Sequence, residues 1–226
     1  MKISPPTAII FDCDGVLVDS EVLSSEAHAK ALTAIGYPIT PEEALRRFQG
    51  LSEYQMYDVI AADWGRPLPP DYDDRYKATI TDIYRYKLQP IDGVVEVVTG
   101  IDLPKGVASN SAAGMLDMKL RHVGLYDQFA PNIFSISQVK RGKPAPDLYL
   151  YAAEHMGVAP GDCLVIEDSV PGLRAARSAG MRVLGFTGAT HAGQKPDAKL
   201  LAEGALLTFD DMRALPALLE DIRASA

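Results

Sequence analysis

The sequence predicts a doubly wound α/β core, a parallel sheet covered on both faces by helices, with a small helical domain inserted near its N-terminal end. Three observations predict it. Short apolar runs, most of them rich in β-branched residues and free of polar alternation, recur along the chain, the pattern of strands buried on both faces. Turn residues and a helical pattern follow them, the rhythm of a sheet built from βαβ units. The first two runs are separated by residues 12 to 105, far more than the dozen or so that a crossover connection requires.

Taken in order, Ala8 to Phe11 is the first strand. Leu23, Ala27, Ala31 and Ile35 then recur at four-residue spacing up to Gly36, followed by Pro41 to Phe48, a Tyr-rich stretch and the polar PLPPDYDD turn, with no strand pattern among them. Residues 20–87 are therefore read as the helical domain, and residues 1–19 with 88–226 as the α/β core. Gly106 to Ala108 is the second strand; Leu116, Leu120 and Val123 share one face of the helix after it, stopped by Gly124. Asn132 to Ile136 is the third strand, and Asp147 is read as the cap of the next helix. Leu164 to Ile166 is the fourth strand, after which Pro171 opens and Gly180 closes a helix carrying Leu173, Ala176 and Ala179. Arg182 to Phe186 and, with the faintest pattern, Ala205 to Leu207 complete the sheet.

Composition narrows the function. The chain has 226 residues, 47% of them apolar, with 18 Gly and 16 Pro, which suits one globular unit or two close ones and excludes disorder or collagen-like repetition. Lys plus Arg number 22 against 30 Asp plus Glu, a net charge of -8; a nucleic-acid binder shows a basic surplus or patch, so no nucleic-acid partner is expected. No apolar run approaches the ~20 residues that span a bilayer. The start, MKISPPTAIIFDCDG, puts two prolines and an acidic cluster where a signal peptide needs a longer apolar region. The expectation is a cytoplasmic protein without a membrane partner, and nothing in the sequence requires more than a monomer. Cys13 and Cys163 have neither the number of a disulfide framework nor the spacing of a metal site, and read as free thiols.

Two acidic pairs carry the chemistry. Asp12 and Asp14 follow Ala8 to Phe11 directly, at the carboxyl end of a parallel strand, the edge where open α/β sheets bind ligands. Gly15 permits a tight turn just beyond. Such a pair repels itself unless a cation shares it, although Asp in this position also starts turns and caps helices. Glu167-Asp168 ends Leu164 to Ile166 in the same way. Four carboxylates at one sheet edge call for a hard divalent ion, and Mg²⁺, which takes a few carboxylates together with waters and substrate phosphate, implies a phosphoryl group. Ser109-Asn110-Ser111 follows the second strand and opens a helix, whose free N–H groups favour an anion; Ser109 is equally placed to be an ordinary N-cap. Lys143, in RGKPAPD, lies on a proline-flanked loop from which it can place a cation on phosphate oxygens.

Taken together, FDCDGVLVDSE, VASNS, KPAPD and IEDSVPGL resemble, in order and spacing, the four motifs of the haloacid dehalogenase-like phosphohydrolases, over almost the whole chain. The resemblance is closest to the subgroup with a helical cap after the first strand, which includes β-phosphoglucomutase and many sugar-phosphate and phosphoglycolate phosphatases. It implies that Asp12 is the nucleophile, forming an aspartyl-phosphate, and that Asp14 is the general acid and then the base for water. It implies Mg²⁺ held by the Asp12 carboxylate, the Asp14 main-chain carbonyl and Asp168, with Glu167 a ligand or a partner one step removed. Ser109 and the Asn110 N–H would hold the transferring phosphate, and Lys143 would offset charge on Asp12 and the phosphoryl oxygens.

Departures from the relatives of that family are informative. Its dehalogenases carry tyrosine two residues after the nucleophile and its phosphonatases a small residue; this chain has Asp14. Its mutases carry histidine twelve residues after the nucleophile and an arginine three residues after a glycine that ends the second cap helix; here those positions are Ser24 and, after Gly50, Glu53. The expectation is a Mg²⁺-dependent phosphatase of a small phosphorylated metabolite, a sugar or sugar-acid phosphate, with a hexose-phosphate mutase and a non-catalytic phosphometabolite-binding regulator as the competing readings. Arg46, Arg47, Gln49, Lys77 and Arg85 are the cap residues that could read the leaving group, against the more ordinary use of such residues as solvated helix faces. None of His28, His122, His155 and His191 matches a motif.

Overall fold

β1 (Ala8–Phe11), β2 (Lys105–Ser109), β3 (Ile133–Ser135), β4 (Cys163–Glu167), β5 (Arg182–Phe186) and β6 (Thr208–Phe209) pair in parallel. Their order across the sheet is β3-β2-β1-β4-β5-β6. The computed structural model describes residues 5–48, 51, 53–190 and 197–224, the side chains of 53 and 54 excepted. By internal contact the chain divides into two compact units, Met1–Asp19 with Gln89–Ala226, and Ser20–Leu88.

The sheet unit is built around β1. All four of its residues are buried, as expected for a strand with neighbours on both edges and helices on both faces; Ile9, Ile10 and Phe11 each contribute roughly 1.5–3 kcal/mol by leaving water. Strand order reverses about β1, with β2 and β3 running outward on one side and β4, β5 and β6 on the other. Ligands bind at the carboxyl edge of such a reversal. Register sets what meets there: Phe11 pairs with Val107 of β2 and with Ile166 of β4, and the Asp12 amide donates to the Ile166 carbonyl at 2.9 Å. The residues after Phe11 and after Ile166 therefore emerge side by side.

The α-helices of this unit are α5 (Val94–Gly100), α6 (Ala113–His122), α7 (Tyr126–Phe129), α8 (Asp147–Met156), α9 (Val170–Ser178), α10 (Asp197–Ala202) and α11 (Leu215–Ala224), the helices that precede them in the chain belonging to the helical unit. α5 reads as β-branched, yet Val94, Val97 and Val98 are buried at helical spacing, so tertiary packing overrides local preference.

Two expectations need correction. The sixth strand is Thr208–Phe209, not Ala205 to Leu207. Gly204 closes α10 at a φ of 95°, and the Ala205 amide turns back to the Leu200 carbonyl at 3.0 Å, so the chain straightens against β5 only beyond that cap. Asp147 is the first residue of α8 rather than its cap, which is Pro146; its carboxylate is bonded to Arg141 at 2.9 and 3.1 Å.

The helical unit contains α1 (Glu21–Ala34), α2 (Pro41–Phe48), α3 (Glu53–Trp64) and α4 (Tyr72–Lys87) and, among the described residues, no strand. Its core gathers Leu32, Tyr37, Phe48, Met56, Ile60 and Tyr72. No helix among the described residues is long and apolar enough to cross a membrane.

Candidate active site

The chain leaves β1 into a tight turn. Gly15 has a φ of 76°, and the Cys13 carbonyl accepts from the amides of Leu17 and Val18 at 2.9 and 3.1 Å. A positive φ favours glycine at this point, and the turn sends Asp12 and Asp14 to different partners.

Asp12, whose side chain is 11% exposed, accepts at Oδ1 from the Lys143 ammonium at 2.7 Å. Its Oδ2 accepts no hydrogen bond among the described residues, which leaves that oxygen's lone pairs available. The same Lys143 Nζ donates to Glu167 Oε1 at 2.6 Å and sits 4.9 Å from the centroid of the Tyr149 ring. Glu167 is fully buried. Oε1 also accepts from the Tyr149 hydroxyl at 3.0 Å, and Oε2 accepts from the Ser169 amide and hydroxyl at 3.0 and 2.9 Å. A buried carboxylate is costly unless its oxygens are satisfied, and four donors satisfy these. Gly172, at the start of α9, makes room for it: a Cβ there would stand 1.6 Å from Glu167 Oε1.

Ser109, Asn110 and Ser111 leave β2 as a turn two residues ahead of α6, whose cap is Ala112. The Ser109 hydroxyl accepts from the Ser111 amide at 3.0 Å, so it is not an N-cap of that helix. The Asn110 side chain is committed to the Lys143 backbone, with Oδ1 accepting from its amide at 2.9 Å and Nδ2 donating to its carbonyl at 3.1 Å. Ser111 Oγ donates to Asp14 Oδ2 at 3.0 Å.

Asp12, Glu167 and Asp168 each offer a carboxylate oxygen within 4.8 Å of one another. Burial foremost, then the charges of Glu167, Asp168 and Asp14, push the Asp12 carboxyl well above its ordinary range, against the pull of Lys143. Burial draws the Lys143 ammonium down, but Asp12 and Glu167 outweigh it and hold the group above the usual lysine range. Two ammoniums, Lys143 and Lys119, stand against the four carboxylates of Asp12, Asp14, Glu167 and Asp168, which leaves an excess of negative charge on hard oxygen donors. That donor set fits a divalent cation such as Mg²⁺, and the charge crowding on Asp12 is what such an ion relieves. Burial raises the Cys13 thiol well above its usual value, which leaves it inert beside the two aspartates.

Two residues here escape a reading of the sequence. Tyr149 touches both Glu167 and Lys143, and nothing in YLYAAEHM distinguishes it from a core aromatic. Lys119 of α6 donates to Asp14, and its signal was present: Leu116 and Leu120 bracket it on the buried face of the helix, where a lysine is out of place.

Of the residues expected to read a leaving group, Arg46 and Arg47 lie on α2 and Lys77 and Arg85 on α4. Arg46, Lys77 and Arg85 are exposed, and Arg85 pairs with Asp82. Arg47 is committed to Glu43 and Asp63 at 3.4 and 3.2 Å. Gln49, Gly50, the side chain of Glu53 and His191 lie outside the described residues.

Comparison with known proteins agrees with this geometry. The family description haloacid dehalogenase-like hydrolase matches residues 9–186. The chain is 31% identical over 212 residues to a 6-phosphogluconate phosphatase of Escherichia coli (strain K12), covering 93% of each chain. Among solved structures, a conserved haloacid dehalogenase-like protein from Agrobacterium tumefaciens matches with a TM-score of 0.84 at 38% identity, over 96% of this chain and 98% of that one. A family hydrolase from Deinococcus radiodurans, with bound phosphate and sodium, matches with a TM-score of 0.80 at 32% identity over 97% of both chains. With the acidic sheet edge, its lysine and this likeness over almost the whole length, the chain belongs to the haloacid dehalogenase-like hydrolases.

Proposed function

We propose that the protein is a phosphatase of small phosphorylated metabolites, most suited to sugar or sugar-acid phosphates, that works through an aspartyl-phosphate on Asp12. One observation carries the reading: a buried aspartate at the switch point of the sheet has Oδ1 held by Lys143 at 2.7 Å, while Oδ2 accepts no hydrogen bond among the described residues. The 31% identity to a phosphatase of a sugar-acid phosphate supports the substrate class.

In the first step an Asp12 carboxylate oxygen attacks phosphorus, the ester P–O bond breaks, and the leaving oxygen takes its proton from Asp14. In the second, Asp14 takes a proton from water, the oxygen attacks phosphorus, and the bond to Asp12 breaks to give inorganic phosphate and the restored carboxylate. Lys143, the Ser109 side chain and the Asn110 N–H balance the charge of the transferring group. Asp12, Asp168 and the main-chain carbonyl of Asp14 would hold Mg²⁺, and Glu167, with four bonds already accepted, would fix Lys143 beside it. When bound, the ion supplies charge neutralisation between the Asp12 carboxylate and the anionic phosphoryl group.

The test is phosphate release by the purified protein, with Mg²⁺ and with chelator, across sugar phosphates, sugar-acid phosphates, phosphoglycolate and nucleotides. Conversion of β-glucose 1-phosphate to glucose 6-phosphate is followed in parallel. Mg²⁺-dependent release from one substrate group is the expected result. No release from any ester, or conversion without release, would overturn the reading.

A further inference from the structure

Lys119 is a cation on the wrong side of its helix. α6 buries Leu116, Lys119 and Leu120 against the sheet unit, and the Lys119 side chain is only 4% exposed. Taking an ammonium out of water costs several kcal/mol, and apolar residues of similar volume generally serve stability as well or better. Methionine would fill this position without that cost. Stability therefore gives no account of the lysine, whereas its contacts do.

Those contacts converge on one carboxylate. Lys119 Nζ donates to Asp14 Oδ1 at 2.5 Å and to Ser111 Oγ at 3.0 Å, and Ser111 Oγ donates in turn to Asp14 Oδ2 at 3.0 Å. Each oxygen of Asp14 thus has its own donor, and the two donors are bonded to each other. Ser111 is itself anchored, its amide donating to Ser109 Oγ at 3.0 Å and its carbonyl accepting from the Ser135 hydroxyl at 2.6 Å. The pair ties Asp14, on the turn after β1, to α6 and to the end of β3.

We propose that Lys119 and Ser111 are positioning residues that fix the orientation of the Asp14 carboxylate for proton transfer to the leaving oxygen and from water. This rests on the phosphatase reading above, and it adds a specific device to it. A carboxylate on a glycine turn has rotamer freedom, and a displacement of about 1 Å at a reacting group costs on the order of 10²-fold in rate. Two donors on two oxygens set both the direction of the side chain and the plane of its carboxylate.

The test separates the steps that need Asp14 from the one that does not. With an alkyl phosphate the leaving oxygen needs a proton; with 2,4-dinitrophenyl phosphate the phenolate departs without one, so its first-turnover burst bypasses Asp14. Lys119→Met is expected to lower kcat on a sugar phosphate by about 10²-fold with little change in KM, while the dinitrophenolate burst rate stays close to that of the unaltered protein. Ser111→Ala is expected to fall in the same direction and serves in place of Lys119→Met if that variant does not fold. Combined with Asp14→Asn, Lys119→Met is expected to add less than about a twofold further loss, because coupled residues are not additive. Equal loss on both substrates, full additivity with Asp14→Asn, or unchanged kcat on the sugar phosphate would overturn the proposal. Absence of turnover in the unaltered protein would overturn the phosphatase reading itself, so the two failures are distinguishable.

Discussion

Asn110 closes on the backbone of Lys143 from both sides, its carbonyl oxygen accepting from the amide and its amide nitrogen donating to the carbonyl. The two residues are far apart in sequence, and the pair of bonds ties the loop that carries the lysine to the turn after β2. The ammonium that meets Asp12 and Glu167 is therefore placed by a side-chain amide as much as by its own chain.

Asn110→Ala removes both of these bonds and leaves Lys143 chemically intact. Turnover with Mg²⁺ is expected to fall by on the order of 10-fold to 10²-fold through misplacement of the lysine, with far-UV circular dichroism unchanged. Steady-state kinetics on the best substrate of the panel checks this; an unaltered kcat would mean that the loop holds itself.

Asp12→Asn keeps an oxygen for Lys143 to donate to but removes the nucleophile. The expected outcome is loss of turnover to background with the fold retained, read by phosphate release and by thermal unfolding. Near-normal activity in this variant would contradict the assignment of the attacking group.

Gly172→Ala puts a methyl group where Glu167 stands, 1.6 Å from Oε1. The carboxylate must leave the site or α9 must shift, and either breaks the buried bonds to Lys143, Tyr149 and Ser169. Breaking a buried, paired charge costs about 3–5 kcal/mol. A large drop in the unfolding midpoint together with lost turnover is expected, and a variant as stable and active as the original would show that the packing tolerates the group.

His28 makes the helical unit sensitive to acid. Its ring stacks on Tyr76 at 3.9 Å and meets the Tyr72 hydroxyl at 2.9 Å. Burial, against a weaker pull from Asp73, lowers its pKa to about 4. Unfolded, the ring takes its proton near pH 6.5; folded, it resists until about pH 4. Stability is therefore whole above about pH 6.5 and is lost as pH falls toward 4, by up to about 2 kcal/mol at pH 5, less as far as solvent reaches the ring. Urea unfolding followed by the single tryptophan, Trp64 of α3, is expected to show this loss between pH 7 and 5, and His28→Gln to flatten it. Equal slopes in the two proteins would count against it.

The sheet was legible because its strands are apolar on both faces and end in chemistry. Ala8 to Phe11 running into Asp12, and Leu164 to Ile166 running into Glu167, mark a strand and its carboxyl edge in the same few letters. β6 differs from the expected Ala205 to Leu207 by its place rather than its existence: Leu206 and Leu207 already bond to Val183 and Gly185 of β5, but the regular pairing is made by Thr208 and Phe209, too short a strand to leave a pattern. The roles that depend on side-chain reach could not be read. VASNS points to the Asn110 N–H but not to the side chain's hold on the Lys143 backbone; Lys119 is marked only by its place between Leu116 and Leu120, and its partner Asp14, like the role of Tyr149, becomes visible only once α6 and α8 are set against the strand ends. Charge balance across a site is a property of the fold, and periodicity carries no information about it.

At the edge of the sheet unit the chain departs and returns side by side: Val18 bridges Pro90, the Asp19 amide donates to the Gln89 carbonyl at 3.0 Å, and the Ile91 amide donates to the Leu17 carbonyl at 3.0 Å. To the core, everything between these residues is a single hairpin whose ends are already clasped. The entropy of closing a loop grows only with the logarithm of its length, so the clasp makes the size of what it encloses almost irrelevant to the sheet. Such a junction lets evolution exchange one insert for another while the chemistry at the strand ends stays untouched, a socket with a replaceable fitting.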